Sequence, residues 1–150
     1  MLYALLTHAD VLAEVRSDPA ALDRAIEETL RWEAAVQYVS RETTREVEVA
    51  GTKIGANELV MLAVGSANRD ETRFEDPDRF VLGRKNVGDH LAFGFGEHFC
   101  LGSNLARLEA RTAVRILLDR LPNLRLAPDA DCRVVGLAFR SPDRLPVVFG

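Results

Sequence analysis

The sequence predicts a mainly α-helical fold that carries small β-sheets. Three observations predict it. Apolar residues recur at helical spacing before residue 34 and again after residue 102. Between these runs, residues 36–62 switch to an alternating pattern. Residues 123–150 hold only short apolar runs broken by Pro and Asp, which read as small strands and turns.

Residues 2–16 read as one helix, with Leu5, Leu12 and Val15 on one face. Asp18-Pro19 restarts the chain, because Asp18 can cap a helix and Pro19 fits its first position. The second helix runs to about Glu33, with a stripe of Leu22, Ile26 and Leu30. Val47, Val49, Ile54, Leu59 and Met61 alternate with polar residues, and Gly55-Ala56-Asn57-Glu58 reads as a hairpin turn between two strands. Residues 69–99 have little periodicity and much turn chemistry, including Asp76-Pro77, Gly83, Gly88, Gly94 and Gly96. So long an irregular stretch in a compact chain is usually functional. A helix returns from Ser103 to about Leu121. Leu105, Leu108, Val114, Leu117, Leu118 and Leu121 give it a wide apolar face, which predicts deep burial, and Pro122 stops it.

Among 150 residues, 47% are hydrophobic and 28% charged, a balance that builds a globular domain and not a disordered chain. A formal charge of −4 and the lack of a basic run argue against nucleic-acid binding. No apolar stretch is long enough to predict a membrane span. The N-terminus lacks a basic leader and a small-residue cleavage site, so it does not read as a signal peptide. Two cysteines, Cys100 and Cys132, are too few for a disulfide framework. Together these features predict a cytoplasmic protein with reduced thiols.

The informative segment is Phe93-Gly94-Phe95-Gly96-Glu97-His98-Phe99-Cys100-Leu101-Gly102. A lone cysteine is most often a small core residue. Here the flanks point elsewhere. Glycines at 94, 96 and 102 permit tight turns and close approach to a flat object. Cys100 sits where a loop becomes a helix, and the free N–H groups of a helix start favour thiolate over thiol. Phe93, Phe95, Phe99 and Leu101 would exclude water. Such a thiolate suits the axial position of a haem iron. Rival readings are weaker. A phosphate loop lacks its full glycine fingerprint and preceding strand. A zinc site from His90, His98, Cys100 and Cys132 lacks paired close spacing. An iron–sulfur cluster usually takes four cysteines. A Cys100–His98 nucleophile pair is too close in sequence for the usual arrangement.

The same segment resembles the haem-binding loop of the cytochrome P-450 family: Phe, two residues, Gly, one residue, His or Arg, one residue, Cys, one residue, Gly. Phe93, Gly96, His98, Cys100 and Gly102 fill those places without departure. The resemblance covers essentially the whole chain. It implies the C-terminal part of that fold: K helix, small sheets, cysteine loop, L helix and C-terminal strands. Residues 1–150 would then be the haem-binding portion of a single domain whose N-terminal part is absent. No counterpart of the long helix with an Ala/Gly-Gly-x-x-Thr segment is found in residues 1–20. The family often has Pro where Ala9 and Ala35 stand, departures that touch backbone stiffness and not chemistry.

The resemblance also implies roles. Cys100 would bind the iron of heme b (iron protoporphyrin IX) within a loop that includes Phe93, Gly94 and Gly102. Glu28 and Arg31 match the family's Glu-x-x-Arg, and Arg79 of Pro77-Asp78-Arg79-Phe80 would complete a buried trio with them. His98 and Arg41 would clamp the haem propionates, arginine being suited to carboxylates. Val36 and Gln37, and Leu137 and Ala138 within the turn Gly136–Phe139, would contact substrate. Arg107, Arg111 and Arg115 share a helix face, either as a solvated stripe or as a docking patch for an acidic electron-transfer partner. The implied activity is that of a soluble, bacterial-like monooxygenase. It inserts one oxygen atom from O₂ into a small organic substrate, with electrons from a ferredoxin or flavin reductase. The alternative is a truncated, non-catalytic remnant that binds haem weakly or only contacts other proteins.

Overall fold

The computed structural model describes all residues, 1–150. Its first three helices are α1 (Leu2–Thr7), α2 (Ala9–Ser17) and α3 (Pro19–Trp32). The predicted helix over 2–16 is therefore two helices. The break falls at His8, whose Nδ1 lies 2.8 Å from the Ala4 carbonyl, while the Thr7 hydroxyl donates to the Tyr3 carbonyl. Side chains that take helix-end carbonyls compete with helix continuation. As predicted, Asp18 caps α3, accepting from the Ala20 amide at 2.9 Å, and Pro19 stands in the first turn.

Strands β1 (Val39–Glu42) and β4 (Leu59–Leu62) pair antiparallel, and β2 (Val47–Val49) pairs with β3 (Thr52–Ile54). The hairpin turn is thus Ala50-Gly51 and not residues 55–58. Both Ala50 and Gly51 have positive φ, 49° and 77°, the twist that joins two adjacent strands tightly. Residues 55–58 instead hand the chain from one sheet to the other. A one-turn helix, α4 (Val64–Ala67), follows β4. Helix α5 (Ser103–Arg120) leads to four short strands: β5 (Arg125–Leu126), β6 (Val134–Val135), β7 (Ser141–Pro142) and β8 (Val147–Val148). They pair as β5–β8 and β6–β7.

The core is a cluster of Leu5, Val11, Val15, Ala21, Leu22, Ala25, Ile26 and Val114, against which Ala110 and Leu118 of α5 also pack. The expected deep burial of α5 is not observed. Leu105, Leu108 and Ile116 are exposed, because no element of this chain covers that face. The segment between α4 and α5 lies over α3, and this position sets the site.

Candidate functional site

The cysteine loop closes on itself. The Cys100 amide donates to the Phe93 carbonyl at 2.8 Å, and the Gly94 amide donates to the Leu91 carbonyl at 2.9 Å. Gly94 has φ +76°, and a Cβ there would meet the His98 carbonyl oxygen at 3.3 Å. The backbone therefore needs glycine at this place for conformation and for space. Gly102 precedes α5 with an ordinary φ of −80°. A Cβ at Gly102 would lie 3.8 Å from the Cys100 sulfur, an ordinary contact, so this glycine lies next to the thiol without being forced by space.

Cys100 is free and exposed. Phe95, Phe99, Leu101 and Leu105 around it in sequence are exposed as well, Leu101 completely. Contiguous exposed apolar residues mark a surface meant to be covered. An apolar cleft of about 380 Å³ runs beside the loop, lined by Val39, Leu62, Val64, Leu91, Gly94 and Phe95 among others. An exposed thiol, glycines that permit close approach and an apolar bed suit a flat, largely apolar group bound through sulfur. No cluster of three or more His, Cys, Asp and Glu side chains is assembled, so the four residues of the zinc reading do not meet.

His98 and Arg41 are both exposed. The Arg41 guanidinium bonds only to the neighbouring Ser40 carbonyl, at 2.8 Å, so it remains available to an anionic group. Val36 and Phe139 form an antiparallel bridge. The Gln37 amide donates to the Ala138 carbonyl at 2.9 Å. The fold thus brings together the two segments assigned to substrate, Val36-Gln37 and Leu137-Ala138. The side chain of Gln37 is engaged locally, donating to the Ala34 carbonyl, whereas Leu137 stands exposed.

Behind the loop lies a buried charge network. Glu28 and Arg31, one turn apart on α3, are both fully buried and pair at 2.8 Å. All five N–H groups of Arg31 are used. Nε and Nη2 donate to Glu28, Nη1 donates to the Asn68 and Pro77 carbonyls, and Nη2 also donates to the Arg79 carbonyl. The expected trio needs one correction. The Arg79 side chain is 75% exposed and pairs with Asp76 at 3.4 Å. A turn in which the Arg79 amide donates to Asp76 points its carbonyl inward and its side chain out. The third cation is Arg84, 5% exposed and 3.2 Å from the Glu28 carboxylate. Asn68, also buried, holds the start of the loop by accepting from the Leu91 amide at 2.7 Å.

A second cluster went unread in the sequence. Glu27 on α3 accepts from Arg107 Nε at 2.5 Å and from Nη2 at 2.9 Å, and its other contact is His90 Nε2 at 3.2 Å. Burial works to raise the Glu27 carboxyl, but the Arg107 and His90 partners prevail and hold it down at about 2. The Ala92 amide donates to His90 Nδ1, so the ring proton sits on Nε2, facing Glu27. Arg107 lies over the Phe93 ring, 4.8 Å from its centroid. Arg111 pairs with Asp23 at 2.6 Å. Two of the three arginines in the supposed docking patch are therefore neutralised by α3. The available signal was that Glu27 lies beside Ile26 and Leu30, on the inward side of an amphipathic helix.

The sequence matches the family described as Cytochrome P450 over residues 1–129. The 6-deoxyerythronolide B hydroxylase of Saccharopolyspora erythraea is 48% identical over 147 residues, covering 97% of this chain and 36% of the relative. The steroid C26-monooxygenase of Mycolicibacterium smegmatis is 47% identical, with 97% and 36% covered. The crystal structure of P450BioI in complex with a hexadec-9Z-enoic acid ligated acyl carrier protein superposes with a TM-score of 0.92. It is 41% identical, and the match covers 99% of this chain and 38% of that one. The chain thus spans a little over one third of the length of the relatives it matches.

Proposed function

The chain belongs to the cytochrome P450 family, and from that premise we propose that it forms the thiolate-ligating part of a haem monooxygenase. When bound, heme b would supply the redox-active iron at which O₂ is reduced and one oxygen atom is inserted into a small organic substrate. The observation that carries this reading is the self-closed loop, which carries a free, exposed Cys100 and borders an apolar cleft at Gly94 and Phe95. This chain corresponds to the C-terminal haem-binding portion of a single domain.

Each residue then has a physical task. Cys100 provides the sulfur ligand, held by its amide bond to Phe93. Gly94 lets the loop turn, and Gly102 lies next to the thiol where the loop enters α5. Phe95, Phe99 and Leu101 bury against the macrocycle and exclude water. Arg41 and His98 bind the two propionates, Arg41 through its guanidinium fork. Val36, Leu137 and Ala138 line the substrate side, with Gln37 contributing backbone. Glu28, Arg31 and Arg84 hold the loop segment to α3. Electrons come from a ferredoxin or flavin reductase. With Arg107 and Arg111 already paired, that encounter does not rest on a free arginine stripe.

The test is spectroscopic. Haem is titrated into the purified protein, and the Soret band of the reduced, carbonyl-bound form is recorded. A thiolate-type band that Cys100→Ala abolishes is the expected result. An imidazole-type band, or the same spectrum without the sulfur, overturns the reading.

A further inference from the structure

Glu27, His90 and Arg107 come from α3, the loop segment and α5, and they meet behind the cysteine loop, away from the thiol. Two of them, Arg107 and His90, lie against Phe93. Arg107 covers its ring at 4.8 Å, and the His90 ring lies 6.2 Å from it. Glu27 holds both partners at once, Arg107 by two hydrogen bonds and His90 by one. His90 is itself buried, its side chain only 3% exposed. Phe93 in turn accepts the Cys100 amide. A path of direct contacts therefore runs from the Glu27 carboxylate to the backbone of the cysteine.

We propose that Glu27 is a positioning residue for the haem-thiolate loop, seating Phe93 through Arg107 and His90 and balancing the Arg107 charge behind the cysteine. The proposal rests on the haem-thiolate reading for its purpose, but the seating of the loop is a property of the protein alone. Glu27 touches neither Cys100 nor the cleft, so it acts only through its partners. An ion pair that merely stabilised the fold would loosen the whole molecule when broken. A positioning pair would loosen one loop. An unbalanced Arg107 would in addition favour the electron-rich ferrous state over the ferric one, since a nearby positive charge attracts the added electron.

Two variants decide it: Glu27→Gln, nearly isosteric and uncharged, and Glu27→Gln with Arg107→Met, which removes both charges. In the haem-free protein, site-resolved amide exchange of Cys100 is compared with that of Ile26 in the core of α3. The expected result for Glu27→Gln is an acceleration at Cys100 about tenfold greater than that at Ile26, whose exchange follows the stability of the whole fold. Unchanged exchange at Cys100, or an equal acceleration at both sites, overturns the proposal. In the haem-loaded protein, Glu27→Gln should raise the ferric/ferrous midpoint potential, and the double variant should bring it back towards the parent value. A potential that Glu27→Gln leaves unmoved also overturns it. Failure of the parent protein to take up haem counts against the haem-thiolate reading, and the exchange result then decides the positioning role by itself.

Discussion

Arg79 and Arg84 are five residues apart in one turn-rich segment, and the sequence gives no physical reason to prefer one over the other as the partner of Glu28. The choice is made by a turn: Asp76 takes the Arg79 amide, so the Arg79 carbonyl goes in and its guanidinium goes out. Backbone direction of this kind is invisible to residue spacing. The Glu-x-x-Arg pairing was legible, because one helical turn puts Glu28 and Arg31 within reach. The two arginines therefore predict opposite outcomes. Arg84→Ala leaves Glu28 with one cation fewer in a buried site and should cost about 3 kcal/mol in urea unfolding. Arg79→Ala removes an exposed pair and should cost within about 0.5 kcal/mol. Equal losses for the two would contradict the assignment.

Helices α3 and α5 were both legible from their periodicity, but the way they meet was not. The apolar stripe of α5 suggested a helix buried along its length, yet only Ala110, Val114 and Leu118 pack on the core, and two ion pairs, Glu27–Arg107 and Asp23–Arg111, complete its junction with α3. Hydrophobic spacing shows that a face exists and not what faces it. The strands show the same limit. Alternation located them, while positive φ at Ala50 and Gly51 decided which two formed the hairpin. The α3–α5 junction also carries a pH dependence. Glu27 is held at about 2 against an ordinary 4.5, so the unfolded chain binds its proton first as pH falls. Its contribution is fully present above pH 4.5 and lost as pH drops towards 2. Urea midpoints followed over that range should fall less steeply for Glu27→Gln than for the parent protein. Parallel acid limbs would exclude Glu27 as a contributor.

At the scale of the molecule, only 19 of 150 residues are buried, a thin core for a chain of this length. Exposed Leu59, Met61, Phe95, Leu101, Leu105 and Phe139 leave much apolar surface in contact with water. A fluorescent apolar dye should therefore bind the haem-free protein strongly, and haem should displace part of it. Undiminished dye fluorescence at saturating haem would place the haem elsewhere. Composition correctly announced a globular fold, but it could not reveal how little of the apolar surface this chain covers by itself. The reach of Arg31 has a consequence for the order of assembly. Its three carbonyl acceptors belong to residues 37, 46 and 48 positions further along. During synthesis, α3 emerges long before them, and its guanidinium must stay hydrated until residue 79 has left the ribosome. The helix is thus a template that waits, and the segment that carries the cysteine can settle only after the chain has returned to it.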